Sequence, residues 1–425
     1  MKDSKNREFN IAVITVFLLI LILPTLIWAM FSESISVWYA ERSTLEEKRT
    51  LVSFPQEFTS SWLVELEQWF SDHTPFRDLA IGAESTAEQT IDTAYRKNIL
   101  PVLSELITPE WYRETPQIGR DGSELPYLAP ISEKLAVYGR GDWLFVDADD
   151  SIAYYQGTNI PDEGTMYTWC ERFEIVNKYC ESKGARAVLL IGPDKEQVFP
   201  EKMPSYPVFT DYKREEVFLD YMSQHSTLTC LYPLHELKEA NSLYDTYYMQ
   251  DTHWNLIGGY VGAMSVLEAL GMETRPLETL AVTETEKTGG DLSNFCGYTT
   301  TYTDYKIDYR PEISCKCDRV DGISVEYYES DSDNPAHLII IGDSFRDAVV
   351  DTLKKEFAHT TVIHRKDLRS HEVAETLAGL EEGDVVLMVP GERGEYQMAM
   401  ACVTIRDILQ NMEAFLSMPY YPRKQ

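Results

Sequence analysis

Apolar positions change their spacing along the chain, and each change predicts a different kind of element. Ile11 to Phe31 is a run of 21 residues without a charged side chain. About 20 apolar residues cross a bilayer as a helix, whereas the apolar part of a cleaved signal peptide takes only about 7 to 15. The run therefore predicts an uncleaved transmembrane signal-anchor over 11–31. A cleaved signal peptide is the alternative, and a buried soluble helix is a third. Pro24 within it is tolerated in a membrane helix. Lys2, Lys5 and Arg7 precede the run and Glu33 and Glu41 follow it. The positive-inside tendency then leaves residues 1–10 in the cytoplasm and exports the rest of the chain.

Beyond the anchor, the segment 62–70 carries apolar residues at helical spacing, and 80–99 reads as another helix. Residues 32–134 are expected to form a mainly helical N-terminal region, ending in an irregular Pro- and Gly-bearing connection over 101–130. From about 135 the pattern changes again. Short β-branched apolar runs predict strands over Trp143–Val146, Ala187–Ile191, Thr229–Tyr232, Leu338–Ile341, Thr361–His364 and Val385–Val389. Amphipathic stretches between them predict helices over Met166–Lys183, Lys213–Ser223, Leu256–Leu270, Phe345–Phe357 and Gln397–Asn411. Strands alternating with helices imply a parallel sheet covered on both faces, so residues 135–425 are expected to be one α/β domain. Between about 275 and 335 the pattern is poor, and Tyr298, Tyr302, Tyr305, Tyr309, Tyr327 and Tyr328 lie among Thr and Asp. This stretch is expected to be an insertion of short strands or loops.

Charge narrows the partners. The chain of 425 residues has a net charge of −31. A phosphate backbone wants a basic surface, so nucleic acid is not an expected partner. A neutral or cationic polymer is accommodated more easily than a strongly anionic one. The seven cysteines are an odd number, and Cys315 and Cys317 have no second pair to complete a zinc set. Pairing of the others is left open.

Two short motifs carry the chemistry. Asp251-Thr252-His253-Trp254-Asn255 comes first, followed by a Gly258-Gly259 break, and Gly342-Asp343-Ser344-Phe345 follows the apolar run 338–341. A Ser hydroxyl needs a base to become a nucleophile, and a His base needs a carboxylate to fix its tautomer. In an extended segment, residues i and i+2 point to the same side, so Asp251 can reach the near nitrogen of His253. The other nitrogen is then free for Ser344. Asp251, His253 and Ser344 are thus a candidate triad for acyl transfer. Ser344 would sit at a tight strand-to-helix turn, where backbone N–H groups stabilise an oxyanion. A structural turn and a structural histidine are the plain alternatives. A metal site is the remaining reading of Asp-x-His, but no further His or Cys ligands complete one, so no metal and no cofactor are expected.

Taken with segments elsewhere, these motifs resemble those of the SGNH-hydrolase-like acetyltransferases of the AlgX/AlgJ type and the related DHHW proteins. In that family Asp-x-His-Trp precedes Gly-Asp-Ser, the reverse of the order in ordinary SGNH esterases. Glu47-Lys48-Arg49-Thr50-Leu51 with Phe54-Pro55 is similar to a family segment, although Lys48 stands where Asn is usual. So are Asp72-His73-Thr74-Pro75-Phe76-Arg77, Gly139 with Trp143-Leu144-Phe145, Pro193-Asp194-Lys195 with Phe199-Pro200, Gly290-Asp291-Leu292 and Glu392-Arg393. The resemblance covers roughly 41–412. It implies an SGNH-like parallel sheet flanked by helices with permuted motif order, preceded by the single N-terminal transmembrane helix. It further implies O-acylation, usually O-acetylation, of an exported polysaccharide.

Three functions follow as expectations. The first is a membrane-anchored extracytoplasmic O-acetyltransferase that works through a Ser344 ester. Its partners would be a polysaccharide acceptor and a multi-span membrane O-acyltransferase that supplies the acyl group. The second is a carbohydrate esterase using the same residues. The third is a non-catalytic glycan-binding or assembly protein, against which the intact motifs argue. Trp254, Asn255 and Asp343 are candidates to line the substrate or oxyanion pocket. Lys195, Glu392 and Arg393 follow predicted strands, and ligands of open parallel sheets bind beyond the carboxyl ends of strands. Lys195 and Arg393 are therefore expected near Ser344, holding a substrate oxygen or pairing with Glu392 or Asp343. A structural salt bridge is the alternative.

Overall fold

The computed structural model describes residues 117–424 apart from 211, 212, 420 and 422. The expected anchor over 11–31, nearly all of the helical region expected over 32–134, and the family-like segments at 47–55 and 72–77 lie outside the described residues. Among the described residues no helix is long and apolar enough to cross a membrane.

The described chain begins with two small antiparallel sheets. One pairs β1 (Gln117–Ile118) with β2 (Glu124–Leu125). The other orders β3 (Ser132–Glu133), β4 (Ala136–Tyr138) and β5 (Leu144–Val146). The run at 143–146 was expected in the parallel sheet. It is instead the last strand of this meander, because the turn at Gly139–Asp142 folds it back on β4.

The helices and strands that follow build the main layer. In chain order they are α1 (Ser151–Gln156), α2 (Glu163–Lys183), β6 (Arg186–Leu190), α3 (Lys195–Val198), α4 (Arg214–His225), β7 (Thr229–Leu231), α5 (Leu234–Ala240), α6 (Leu256–Ala269), β8 (Ala281–Thr288), α7 (Asp291–Cys296), β9 (Thr301–Asp308), β10 (Cys315–Val320), β11 (Val325–Ser330), β12 (His337–Gly342), α8 (Arg346–Leu353), β13 (His359–His364), α9 (His371–Ala378), β14 (Val385–Val389), α10 (Glu395–Gln410), α11 (Met412–Leu416) and β15 (Arg423–Lys424). Eight strands form the central sheet in the order β15-β10-β11-β13-β12-β14-β6-β7. The five from β13 to β7 are parallel, and β10, β11 and β15 extend the sheet antiparallel.

The central strands β6, β12 and β14 are apolar along continuous runs because both faces are covered. Alternate residues divide cleanly. Leu338 and Ile340, with Val385, Leu387 and Val389, enter a core containing residues of α6 and α8. Ile339 and Ile341, with Val386 and Met388, enter the opposite core beside residues of α2, α9 and α10. That is the period-two alternation of a strand between two helical layers.

The stretch 275–335, expected as an insertion of short strands or loops, is built of strands and is not set apart throughout: β8 and β9 pair over eight residues each, while β10 and β11 join the central sheet. Its tyrosines include core residues, with Tyr298, Tyr302 and Tyr309 buried. Gly258-Gly259 does not break the chain either; both lie inside α6. A Cβ at 259 would fall 2.4 Å from the Cβ of Ala348 on α8, and one at 258 would fall 2.3 Å from the Thr246 carbonyl oxygen. Gly259 lets α6 approach α8 closely, which brings the two motif segments together, and Gly258 leaves room for the Thr246 carbonyl. No disulfide joins the described cysteines.

Candidate active site

Three side chains from the two motifs meet in one hydrogen-bonded line. Ser344 Oγ lies 2.6 Å from His253 Nε2. His253 Nδ1 lies 2.7 Å from Asp251 Oδ1. With the imidazole proton on Nδ1, Nε2 is the acceptor for the serine hydroxyl. Ser344 is exposed, and the His253 and Asp251 side chains are partly covered. They border a cleft of about 300 Å³, whose other walls are Tyr248, Trp254, Leu256, Asp347, Ala348 and Asp351.

The chain reaches this arrangement through a turn rather than an extended segment. Asp251 Oδ1 also accepts from the backbone N–H of His253 at 3.1 Å, so the aspartate wraps around its own turn. The Nζ of Lys195 donates to the carbonyl oxygens of Tyr248, Met249 and Asp251 at 3.2, 3.2 and 2.6 Å and pins that turn from beneath. On the other side, β12 delivers Ser344. A Cβ at Gly342 would fall 2.3 Å from the Val389 carbonyl oxygen, so only glycine passes there. Asp343 Oδ1 accepts the N–H of Phe345 at 3.0 Å, and its carboxylate accepts the N–H of Gly391. The Phe345 ring is pinched between Gly192 and Gly391, where added Cβ atoms would fall 2.4 and 2.7 Å from it. Ser344 is thus left projecting between a clamped Asp343 and a clamped Phe345. Its backbone N–H has no partner among the described residues and lies one turn before α8.

Charge is distributed to suit a base. Burial works against ionisation of Asp251. The hydrogen bond and charge of His253, with the N–H groups of His253 and Asp291, outweigh it and hold the carboxyl at about 2. Burial likewise works against protonating His253. The hydrogen bond and charge of Asp251, with the charges of Asp291 and Asp343, outweigh it and raise the imidazole above its usual value.

The family-model comparison settles what this architecture is. Residues 136–362 match the model described as the SGNH hydrolase-like domain, acetyltransferase AlgX. The chain belongs to that family. Solved structures similar to it include a DHHW family protein from Eubacterium siraeum, at 14% identity and TM-score 0.46, covering 66% of this chain and 98% of that one. The O-acetyltransferase domain of Pseudomonas putida AlgJ aligns at 16% identity and TM-score 0.38, covering 63% and 99%. Pseudomonas aeruginosa AlgX aligns at 15% identity and TM-score 0.39, covering 60% and 61%. No curated protein sequence matches the chain.

In this AlgX-type domain the remaining predicted residues take supporting positions. Trp254 is among the residues that border the cleft, although it is only 1% exposed. Its indole N–H donates to the Phe345 carbonyl at 2.8 Å, and its ring meets the Phe345 ring edge-on, so it fastens one motif to the other. Asn255 is buried and caps α6. Its side-chain oxygen accepts from the N–H groups of Ile257 and Gly258, and its amide donates to the Asp245 carbonyl. Asp343 accepts backbone donors instead of facing the cleft.

Lys195 and Arg393 do follow β6 and β14, beyond the carboxyl ends of the strands. Yet Lys195 is 2% exposed and its three N–H groups meet three carbonyls. Arg393 Nε donates to Asp194 at 2.9 Å rather than to Glu392 or Asp343. Glu392 is buried and accepts from the Asp194 N–H at 2.7 Å and the Tyr232 hydroxyl at 3.0 Å. These contacts are the structural alternative. Lys195 has used all its donors within the fold, and Arg393 is held by its ion pair with Asp194.

Thr252 and Asp291 were not singled out from the sequence, although Gly290-Asp291-Leu292 was visible as a family-like segment. Asp291 Oδ1 accepts the Thr252 N–H at 2.8 Å, and Oδ2 accepts the Thr252 hydroxyl at 2.6 Å. The Asp291 N–H donates to Asp251 Oδ2 at 3.2 Å. Asp251, His253 and Asp291 each bring one donor atom within 4.8 Å of the others, close enough for a cation. A cation on Nδ1 would break the 2.7 Å bond to Asp251, and both carboxylates already hold N–H or O–H donors. The trio is thus arranged as a hydrogen-bonded support for the imidazole.

Proposed function

We propose that this protein is a serine-dependent O-acetyltransferase that works outside the cytoplasm, held at the membrane by residues 11–31, and acylates hydroxyls of an exported polysaccharide. The observation that carries this reading is the unbroken line from Asp251 through His253 to an exposed Ser344. Ser344 Oγ attacks the carbonyl carbon of an acyl donor as its proton passes to His253 Nε2. The C–O bond that forms gives a tetrahedral oxyanion, which the free N–H of Ser344 faces. Collapse breaks the bond to the leaving group, which takes the proton from His253 and leaves an acyl-serine. A glycan hydroxyl then gives its proton to His253 and attacks the ester, and Ser344 leaves with that proton.

Membership of the AlgX-type family supports transfer to a sugar over hydrolysis, since water and a hydroxyl resolve the same ester. The charge-free run at 11–31 supports the anchor, and such an anchored enzyme would draw its acyl group from a multi-span membrane acyltransferase. Asp347 and Asp351 on the cleft wall suit a neutral or cationic acceptor better than a polyanion.

The test is to incubate the protein with a small acetyl ester, with and without oligosaccharides, and to weigh the sugars by mass spectrometry. Acetylated sugar is expected from wild type, and a loss of turnover of at least about 10³-fold from Ser344→Ala. Release of acetate alone with every acceptor would favour the esterase. Full turnover by Ser344→Ala would overturn the covalent route.

A further inference from the structure

Asp291 has a place in the site that neither the triad nor the packing of its own helix explains. α7 is held by Leu292 and Cys296, which are buried against β4 and β5. The Asp291 side chain is 32% exposed, so it does not serve that core. Its contacts run the other way. One carboxylate oxygen takes the Thr252 N–H and the other takes the Thr252 hydroxyl. Because that hydroxyl hydrogen points to Asp291, the Thr252 oxygen presents a lone pair to His253 Nδ1, 3.2 Å away. Asp291 Oδ2 itself lies 3.7 Å from the same nitrogen. Meanwhile the Asp291 backbone N–H holds the Asp251 oxygen that His253 does not use. Gly290 makes this approach possible, since a Cβ there would fall 2.7 Å from Asp251 Cβ.

We propose that Asp291 is a positioning residue, a second carboxylate that acts on His253 through Thr252 and on Asp251 through its backbone N–H. It fixes the ring so that Nε2 faces Ser344 and shares the positive charge that His253 acquires during the reaction. The proposal rests on the acyl-serine reading above. The groups facing His253 are Asp251 and Thr252 from its own turn, Asp291 from α7, Asp343 and Ser344 from the loop after β12, and Asp347 from α8. Lys195 stands behind, on the Asp251 carbonyl. A loss of negative charge at 291 is therefore felt at the imidazole.

Full-length protein is assayed on a small acetyl ester across a pH series, with the variants Asp291→Asn, Asp291→Glu and Thr252→Val. Asp291→Asn is expected to lower kcat about 10- to 100-fold with KM changed less than about threefold, the scale of a misplaced catalytic group. The acidic limb of its rate profile should move to lower pH, because removing a neighbouring carboxylate disfavours the imidazolium. Asp291→Glu should restore the limb in part. Thr252→Val should lower kcat while moving the limb less. The loss in Asp251→Asn/Asp291→Asn should fall short of the product of the single losses, as for groups acting on one partner. If Asp291→Asn keeps kcat within about twofold and leaves the limb in place while Ser344→Ala is inactive, the proposal is wrong. A fall in kcat that tracks a fall in melting temperature, with the limb unmoved, would overturn it equally. An active Ser344→Ala would instead defeat the reading beneath it.

Discussion

Two groups of carboxyl side chains sit beyond the carboxyl ends of neighbouring strands, and the fold treats them in opposite ways. Around His253, Asp251 is partly buried, yet it accepts from an imidazole and two backbone N–H groups. It is ionised, at about 2. Behind the rim, Glu215, Glu392 and Glu395 are fully buried around Arg214, which lies 2.8 Å from Glu395 and 3.6 Å from Glu215. There burial prevails, followed for Glu215 by the charges of Glu392 and Glu395. It holds Glu215 well above the usual carboxylate range and lifts Glu395 to about 7. One guanidinium does not offset the desolvation of Glu215 and Glu395, so burial favours the protonated form of these two. The number of donors aimed at a carboxylate, more than its depth, decides whether it carries charge. The fold concentrates donors where charge supports a base and leaves protons where acids only pack.

The sharpest way to break this contrast is at Asp251. Asp251→Asn keeps the shape but offers His253 a side chain that no longer enforces the Nδ1–H tautomer. Turnover on an acetyl ester should fall between about 10² and 10⁴-fold, with the melting temperature nearly unchanged. Residual activity at the upper end of the wild-type range would mean that Asp291 or another group already supplies the carboxylate role.

The buried cluster predicts a stability effect in place of a catalytic one. The folded Glu395 carboxyl titrates at about 7 against an ordinary 4.5, so the native state holds a proton that the unfolded state has released. Stability from this group is therefore fully present below about pH 4.5 and is lost as pH rises to about 7, by up to about 3 kcal/mol. His253, also raised, contributes in the same direction, whereas Asp251 loses its contribution only as pH falls below about 4. Urea unfolding between pH 5 and 8 should show the decline. Glu215→Gln, which fixes one member neutral, should flatten it without changing turnover. A stability that rises from pH 5 to 8 in wild type would contradict a protonated cluster.

The sequence and the structure agree where side chains obey a short-range rule. The continuous apolar runs at 187–191, 338–341 and 385–389 could be read because every residue in them is buried, and the motif pair was visible because a serine–histidine–carboxylate site needs those residue types. What was hidden depends on approach across the fold. Asp291 lies 40 positions from Asp251, and only the close passage of Gly290 against Gln250 and Asp251 joins them. The true partners of Lys195 are backbone carbonyls, which no side-chain pattern announces. Asn255 stands close to His253 in sequence, but the turn sends it inward to cap α6, whereas Trp254 keeps a place at the cleft wall. Adjacency along a bend says little about which way a side chain faces.

Asn255 gives the smallest effect and a clean test of that last point. It stands two residues from the base, and amides commonly serve as oxyanion donors. Here its oxygen takes the N–H groups of Ile257 and Gly258 at 2.9 and 3.1 Å, and its amide group is 2.7 Å from the Asp245 carbonyl. Its remaining amide hydrogen is out of reach of substrate, because the residue is 1% exposed. Losing a cap of this kind costs about 1 kcal/mol, with a range of about 0.5 to 2. Asn255→Ala should therefore lower the urea midpoint while kcat on an acetyl ester stays within about threefold. Asn255→Ser, which keeps an acceptor for the helix N–H groups but lacks the second donor, should recover part of the stability. A hundredfold loss of kcat at unchanged stability would place Asn255 in the chemistry and return it to the pocket.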